Sequence, residues 1–152
     1  MTTRPAEDYR CTLVLHAPRT VVFDALTTPA GLTGWWTTDA DVATTAGSHI
    51  RFNWSPTDHT TFRIDRLTPS TTVTWTCIAQ HDTNLPHPDE WVGTTIGFEL
   101  TDHDDGTQLT FIHHGLTPHL DCYDVCHSGW DHFLDQSLRA YVETGHGTPW
   151  TT

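Results

Sequence analysis

Between Ile50 and His113 the apolar residues of this chain recur at every second position, in a series of short runs; from Trp130 to Tyr141 they recur at every third or fourth. Period two places alternate side chains on opposite faces of a strand, whereas a spacing of three and four gathers them on one stripe of a helix. The runs are Ile50, Phe52 and Trp54; Phe62 and Ile64; Val73, Trp75 and Cys77; Ile96, Phe98 and Leu100; and Leu109, Phe111 and His113. The helical stripe is Trp130, Phe133, Leu134, Ser137, Leu138 and Tyr141, with Asp131, Asp135, Arg139 and Glu143 on its other side. A sheet with one apolar face, followed by one amphipathic helix, can bury both only by packing them together. Short links between runs, such as Asp104-Asp105-Gly106, favour antiparallel pairing.

The first half supplies the remaining elements. Tyr9, Cys11, Leu13 and Leu15 alternate with Arg10, Thr12 and His16, which predicts a half-buried strand interrupted only by Val14. Pro18 suits the first turn of a helix carrying Val21, Val22, Ala25 and Leu26. A second short helix is expected from Thr28-Pro29 to Trp35-Trp36, with Thr28 as its cap. Ser128 with Asp131 resembles a capping box for the last helix, which could also begin nearer Asp121; Gly145, Gly147 and Pro149 stop it. The stretch from His81 to Glu90, with Pro86 and Pro88, is the expected long loop.

Composition narrows the function. The chain has no Lys, which excludes a Schiff base and a P-loop lysine. A net charge of -12 with His neutral disfavours nucleic acid as a partner. Four Cys in 152 residues do not make a disulfide framework. No apolar run reaches the roughly 18 residues of a membrane span, and the start MTTRPAEDYR is polar, so a cytoplasmic protein is expected.

Three stretches resemble one superfamily. HAPRTVVFDALTTPAGLTGWW (His16 to Trp36), GTQLTFIHHGL (Gly106 to Leu116) and GWDHFLDQSLRAYVETGHGTPW (Gly129 to Trp150) are similar to the first-strand exit, last strand and terminal helix of the START-like, or SRPBCC, helix-grip superfamily. The nearest branch resembles the activator of heat-shock ATPase-like domain. The resemblance implies a single α+β domain over 1–152: a curved antiparallel sheet wrapped around a long C-terminal helix, with two short helices after the first strand. It also implies space between sheet and helix, where members hold lipids, hormones or polyketides, while leaving the activity open.

Strand parity and helical phase then nominate the residues that face such a space: Trp54, Trp75, Phe98, Phe111 and His113 from the sheet, and Trp130, Phe133, Ser137 and Tyr141 from the helix. Each aromatic is either core filling or the wall of a pocket for a flat, greasy ligand. His113 is either a core imidazole satisfied by protein partners or an acid–base group. Ser137 and Tyr141 either orient a ligand or bond back to the fold, and no nucleophile elbow surrounds any Ser. Cys122, Cys126 and His127, with His119 and His132 nearby, have the spacing of a soft-metal site but lack a knuckle and a second pair, so no metal and no cofactor is assigned. The reading favours binding of a small apolar molecule. A cyclase- or hydrolase-type enzyme using His113 is one alternative, and an interaction domain displaying Trp35, Trp36 and Trp91 is the other; a homodimer stays open.

Overall fold

A computed structural model describes residues 7–151. The chain runs β1 (Tyr9–Leu15), α1 (Arg19–Thr27), α2 (Pro29–Trp35), β2 (Ala40–Val42), β3 (His49–Asn53), β4 (His59–Thr68), β5 (Thr72–His81), β6 (Thr95–His103) and β7 (Gly106–His114). The terminal helix comes next, as α3 (Tyr123–Asp131), a π-helical segment (His132–Leu138) and α4 (Arg139–Thr144). This is the expected α+β helix-grip architecture. All seven strands join one antiparallel sheet in the order β1-β7-β6-β5-β4-β3-β2. The first strand closes on the last because Tyr9 pairs with His113 and Leu15 with Thr107.

Alternation holds where the sheet is regular. Ile50, Phe52, Phe62, Ile64, Val73, Trp75, Ile96, Phe98, Leu109 and Phe111 are all buried, and Asp65 and Glu99 face solvent. The strand β2 is not among those expected from periodicity, being too short to show one; it is an edge strand paired to β3 through Ala40↔Phe52. Trp54 lies one residue beyond β3 rather than within it.

The caps follow local chemistry. Thr28 accepts the Gly31 N–H at 3.0 Å, as its position ahead of Pro29 predicts. Pro18 is the cap of α1 rather than its first helical residue. Ser128 caps nothing: it lies exposed inside α3, which starts a turn and a half earlier at Tyr123. That start is held from outside the helix, by Glu90 of the β5–β6 loop. Its carboxylate accepts the N–H groups of Asp121 (3.1 Å) and Cys122 (2.9 Å), donors that a helix start leaves without a partner of its own. Gly145 ends α4 in the left-handed region (φ 89°), with its N–H on Tyr141 O.

The terminal helix is tied to β1 at Asp131 and Arg139, and to α2 and the tail at Ser137. Tyr9 Oη donates to Asp131 at 2.6 Å, and Arg139 donates to the Val14 carbonyl at 2.7 Å. Within the π segment Ser137 Oγ donates to Trp35 O and accepts the Thr148 N–H at 2.8 Å. A side chain at Gly147 would meet the Gly34 and Ser137 backbone oxygens, so only glycine lets the tail cross this tightly. The tail therefore folds back beside the helix, and Trp150 exchanges backbone hydrogen bonds with Trp36 and Thr38.

Candidate functional site

The space between the sheet and α3 is not filled. A cavity of about 260 Å³ remains, walled by Trp36, Trp54, Trp91, Trp130, Phe133 and Trp150. Five of the seven tryptophans thus converge on it. The rings buttress one another: Trp91 lies parallel to Trp130 at 5.7 Å, and Trp130 packs on Trp36 at 5.0 Å. Such contacts fix the wall before any ligand arrives. The floor on the helix side is Gly129, where an added Cβ would meet nothing within 4 Å. The rim is formed by the exposed Asn84, Val125 and Trp150.

One end of the cavity is polar, and a bulge builds it. Along β5, Trp75 and Cys77 face inward, but Thr61 pairs with Ala79 while the adjacent Phe62 pairs with Cys77. Ile78 is therefore left over, and the extra residue reverses the parity of the strand beyond it. Gln80 is buried in consequence, on the same face as Cys77. Its Oε1 accepts the Trp91 N–H at 2.9 Å, and its Nε2 has no partner among the described residues. Thr60 stands beside it, its oxygen accepting from Trp54 Nε1 at 3.0 Å. Asp82 and Asn84 complete this end, with Asp82 Oδ1 accepting the Asn84 N–H at 3.0 Å. Behind them the buried Asp58 accepts from Thr83 at 3.0 Å.

Of the residues nominated by parity and phase, Trp54, Trp130 and Phe133 line this cavity. Trp75, Phe98 and Phe111 are fully buried beneath it, where Trp75 meets Phe98 edge-on and Phe111 packs on Trp130 at 4.5 Å. Ser137 is buried at the junction of the terminal helix with α2, bonded to Trp35 O. Tyr141 lies against α2, where its ring occupies the space that a side chain at Gly34 would need. None of these five is in the cavity wall. Trp36, Gln80, Trp91 and Trp150 are, and parity singles out none of them as ligand-facing.

His113 is enclosed on all sides, at 0% exposure. Trp130 Nε1–H donates to Nδ1 at 3.1 Å, and Nε2 lies 2.8 Å from Thr94 Oγ1. The Thr94 hydroxyl hydrogen is committed to the Trp91 carbonyl at 2.6 Å. The one consistent arrangement is a neutral ring carrying its proton on Nε2 and donating it to Thr94. Burial pushes the imidazole pKa down to about 3. A second proton would sit on Nδ1, facing the indole N–H. His113 thus fastens Trp130 and Thr94, and through Thr94 the Trp91 backbone, behind the cavity wall. It does not present a titrating atom to the cavity.

Cys122 and Cys126 are buried free thiols one helical turn apart. The hydrogen bond between them holds the Cys122 thiol below its ordinary pKa and pushes that of Cys126 up. Among the described residues no group of three or more His, Cys, Asp or Glu converges to hold a metal ion. Trp35 and Trp36 are buried and stack at 5.7 Å, and Trp91 is 8% exposed, so these rings are not displayed as surface anchors. No helix among the described residues is long and apolar enough to cross a membrane.

A curved antiparallel sheet packed on a long C-terminal helix, with two short helices after the first strand, defines the helix-grip class. Residues 16–143 match the family described as Activator of Hsp90 ATPase homolog 1-like protein, and the chain belongs to it. The Aha1 dimer from Colwellia psychrerythraea, solved in solution, is 30% identical with a TM-score of 0.79, covering 93% of this chain and 99% of that one. Protein CV1439 from Chromobacterium violaceum is 22% identical, with a TM-score of 0.70 and coverages of 89% and 96%. DynU16, from the dynemicin biosynthetic locus, is 22% identical with a TM-score of 0.71; the match covers 94% of this chain and 49% of that one. No curated protein sequence matches the chain.

Proposed function

We propose that the protein binds a small, flat, apolar molecule in the cavity between sheet and terminal helix. The observation that carries this reading is an unfilled space of about 260 Å³ with aromatic walls and polar groups gathered at one end. Protein interiors otherwise pack to crystal density, and binding sites combine apolar walls with a few placed polar groups. Trp54, Trp130 and Phe133, together with Trp36, Trp91 and Trp150, supply the stacking surface. Gln80 and Thr60 supply direction.

The alternatives have less support. A cyclase- or hydrolase-type mechanism through His113 needs an accessible ring nitrogen, and both are engaged. The interaction-domain reading rests on Trp35, Trp36 and Trp91 as exposed anchors, and all three are shielded; the exposed Val125 and Trp150 sit on the rim of the cavity. For the assembly we carry over the dimer of the Colwellia protein as the state to test by light scattering.

Gly129→Leu tests the binding reading. The new side chain grows into the cavity from a helical position that prefers leucine over glycine, so the fold is kept while the space is lost. The wild type should show tryptophan quenching and a thermal upshift with planar aromatic probes, and the variant neither. Equal responses from both proteins would place the probes elsewhere and defeat the reading.

A further inference from the structure

The polar end of the cavity has a definite hydrogen-bonding sense, and its charge has one sign. Gln80 is turned inward by the bulge at Ile78. Because its Oε1 is occupied by the Trp91 N–H, only the Nε2 donors are left for a ligand. Thr60 accepts from Trp54 Nε1, so its own hydroxyl hydrogen is the group left to offer. Asp82 keeps one carboxylate oxygen after Asn84 has taken the other. Asp58 lies just behind, bonded to Thr83 and Asn84. Among the described residues no Arg or His lines the cavity, and the chain has no Lys.

We infer that the cavity selects uncharged planar aromatics that carry an acceptor and an adjacent O–H or N–H donor on one edge, and rejects carboxylates. The acceptor, a carbonyl or phenol oxygen, would take the Gln80 and Thr60 hydrogens. The neighbouring donor would meet Asp82. An aromatic amide or a keto–phenol edge satisfies all three. A fatty acid or aryl carboxylate would bring its charge beside Asp82 and Asp58 with no cation to meet it, and a desolvated charge without a partner is strongly disfavoured. This inference rests on the cavity-binding reading and adds the ligand class to it.

The matched pair 2-naphthamide and 2-naphthoate, titrated by calorimetry and tryptophan quenching at neutral pH, tests it. The two share size and shape and differ in charge and in the donor edge. Wild type should hold the amide at least about tenfold more tightly than the acid, a gap of about 1.4 kcal/mol. Gln80→Glu keeps the oxygen that accepts from Trp91 and removes the free donors; it should weaken the amide about tenfold. Asp82→Asn should narrow the gap by strengthening the acid. If the acid binds wild type as tightly as the amide, and Gly129→Leu abolishes both, the ligand class is wrong while the cavity reading stands. If neither probe binds wild type, both fail together.

Discussion

Lowering the pH should unfold this protein in part through His113, by an amount that can be worked from its burial. The unfolded imidazole has a pKa of about 6.5. In the folded chain it is held down to about 3. The folded state therefore refuses a proton that the unfolded state accepts. Above pH 6.5 both states are neutral, and the group contributes nothing to the pH dependence. Between the two values the unfolded state gains up to about 1.4 kcal/mol per pH unit. By pH 5 the loss of stability from this one residue is about 2 kcal/mol, roughly an eighth to two-fifths of a small domain's total. His113→Gln removes the titration. At pH 7.5 it should be the weaker protein, by about 1–3 kcal/mol, because Trp130 Nε1–H or Thr94 Oγ1 loses its partner. Between pH 7.5 and 5 its stability should fall about 2 kcal/mol less than that of wild type. His59, whose pKa burial also lowers, adds a loss of the same sign, but it is present in both proteins and cancels in the difference. Urea unfolding followed by circular dichroism at both pH values reads the quantity directly. Parallel loss in the two proteins, or a His113 resonance (the one missing from His113→Gln) that titrates near 6.5 in the folded wild type, would refute the closed chain through Trp130, His113 and Thr94.

Other outcomes turn on single sites. Gly129→Ala replaces a glycine inside α3 where a Cβ has open space, so the melting temperature should rise by roughly 2–4 °C for about 1 kcal/mol. Gly106→Ala should cost more than about 3 kcal/mol in denaturant titration, because φ is 143° and the Cβ would run into the Leu15 carbonyl. Trp150→Ala removes a rim wall and the indole bond to Trp54 O at 2.7 Å; probe dissociation in stopped-flow should speed up several-fold, with about 1–2 kcal/mol of stability lost. Solubility should drop near pH 5, close to the isoelectric point of about 5.2 set by the composition, and a turbidity curve flat from pH 8 to 5 would contradict this.

The fold was legible because its elements obey simple periods. Leu109, Phe111 and His113 read as inward on alternation, and each is fully buried. Trp130, Leu134, Ser137 and Leu138 read as one helical stripe, and that stripe is buried even though a π segment interrupts it. The pattern survives because these positions fall close together on the helix in either geometry. What escaped was set by partners remote in sequence. The start of α3 falls near Asp121, one of the two places the pattern allowed, and the choice between them is made by Glu90, a loop residue 32 positions before Cys122, which no local capping rule supplies. The local candidate, Ser128, had the right chemistry in the wrong turn.

The candidate site was less legible than the core for a related physical reason. Parity finds the residues that fill space, because regular alternation is what fills it. A cavity survives where regularity fails: at the Ile78 bulge, at the loop that carries Trp91, at Gly129 where a side chain is missing, and at the tail that brings Trp150 back. Trp75, Phe98 and Phe111 satisfy the alternating pattern and are consumed in packing. Gln80 violates it and reaches the open space. The sequence did carry a trace of this: after Trp75 and Cys77, the consecutive apolar pair Ile78-Ala79 cannot both face one side of a regular strand. An adjacent pair of that kind, with a polar residue next and a long loop beyond it, marks the place where a strand changes phase. Reading for such breaks would have nominated Gln80 in place of His113.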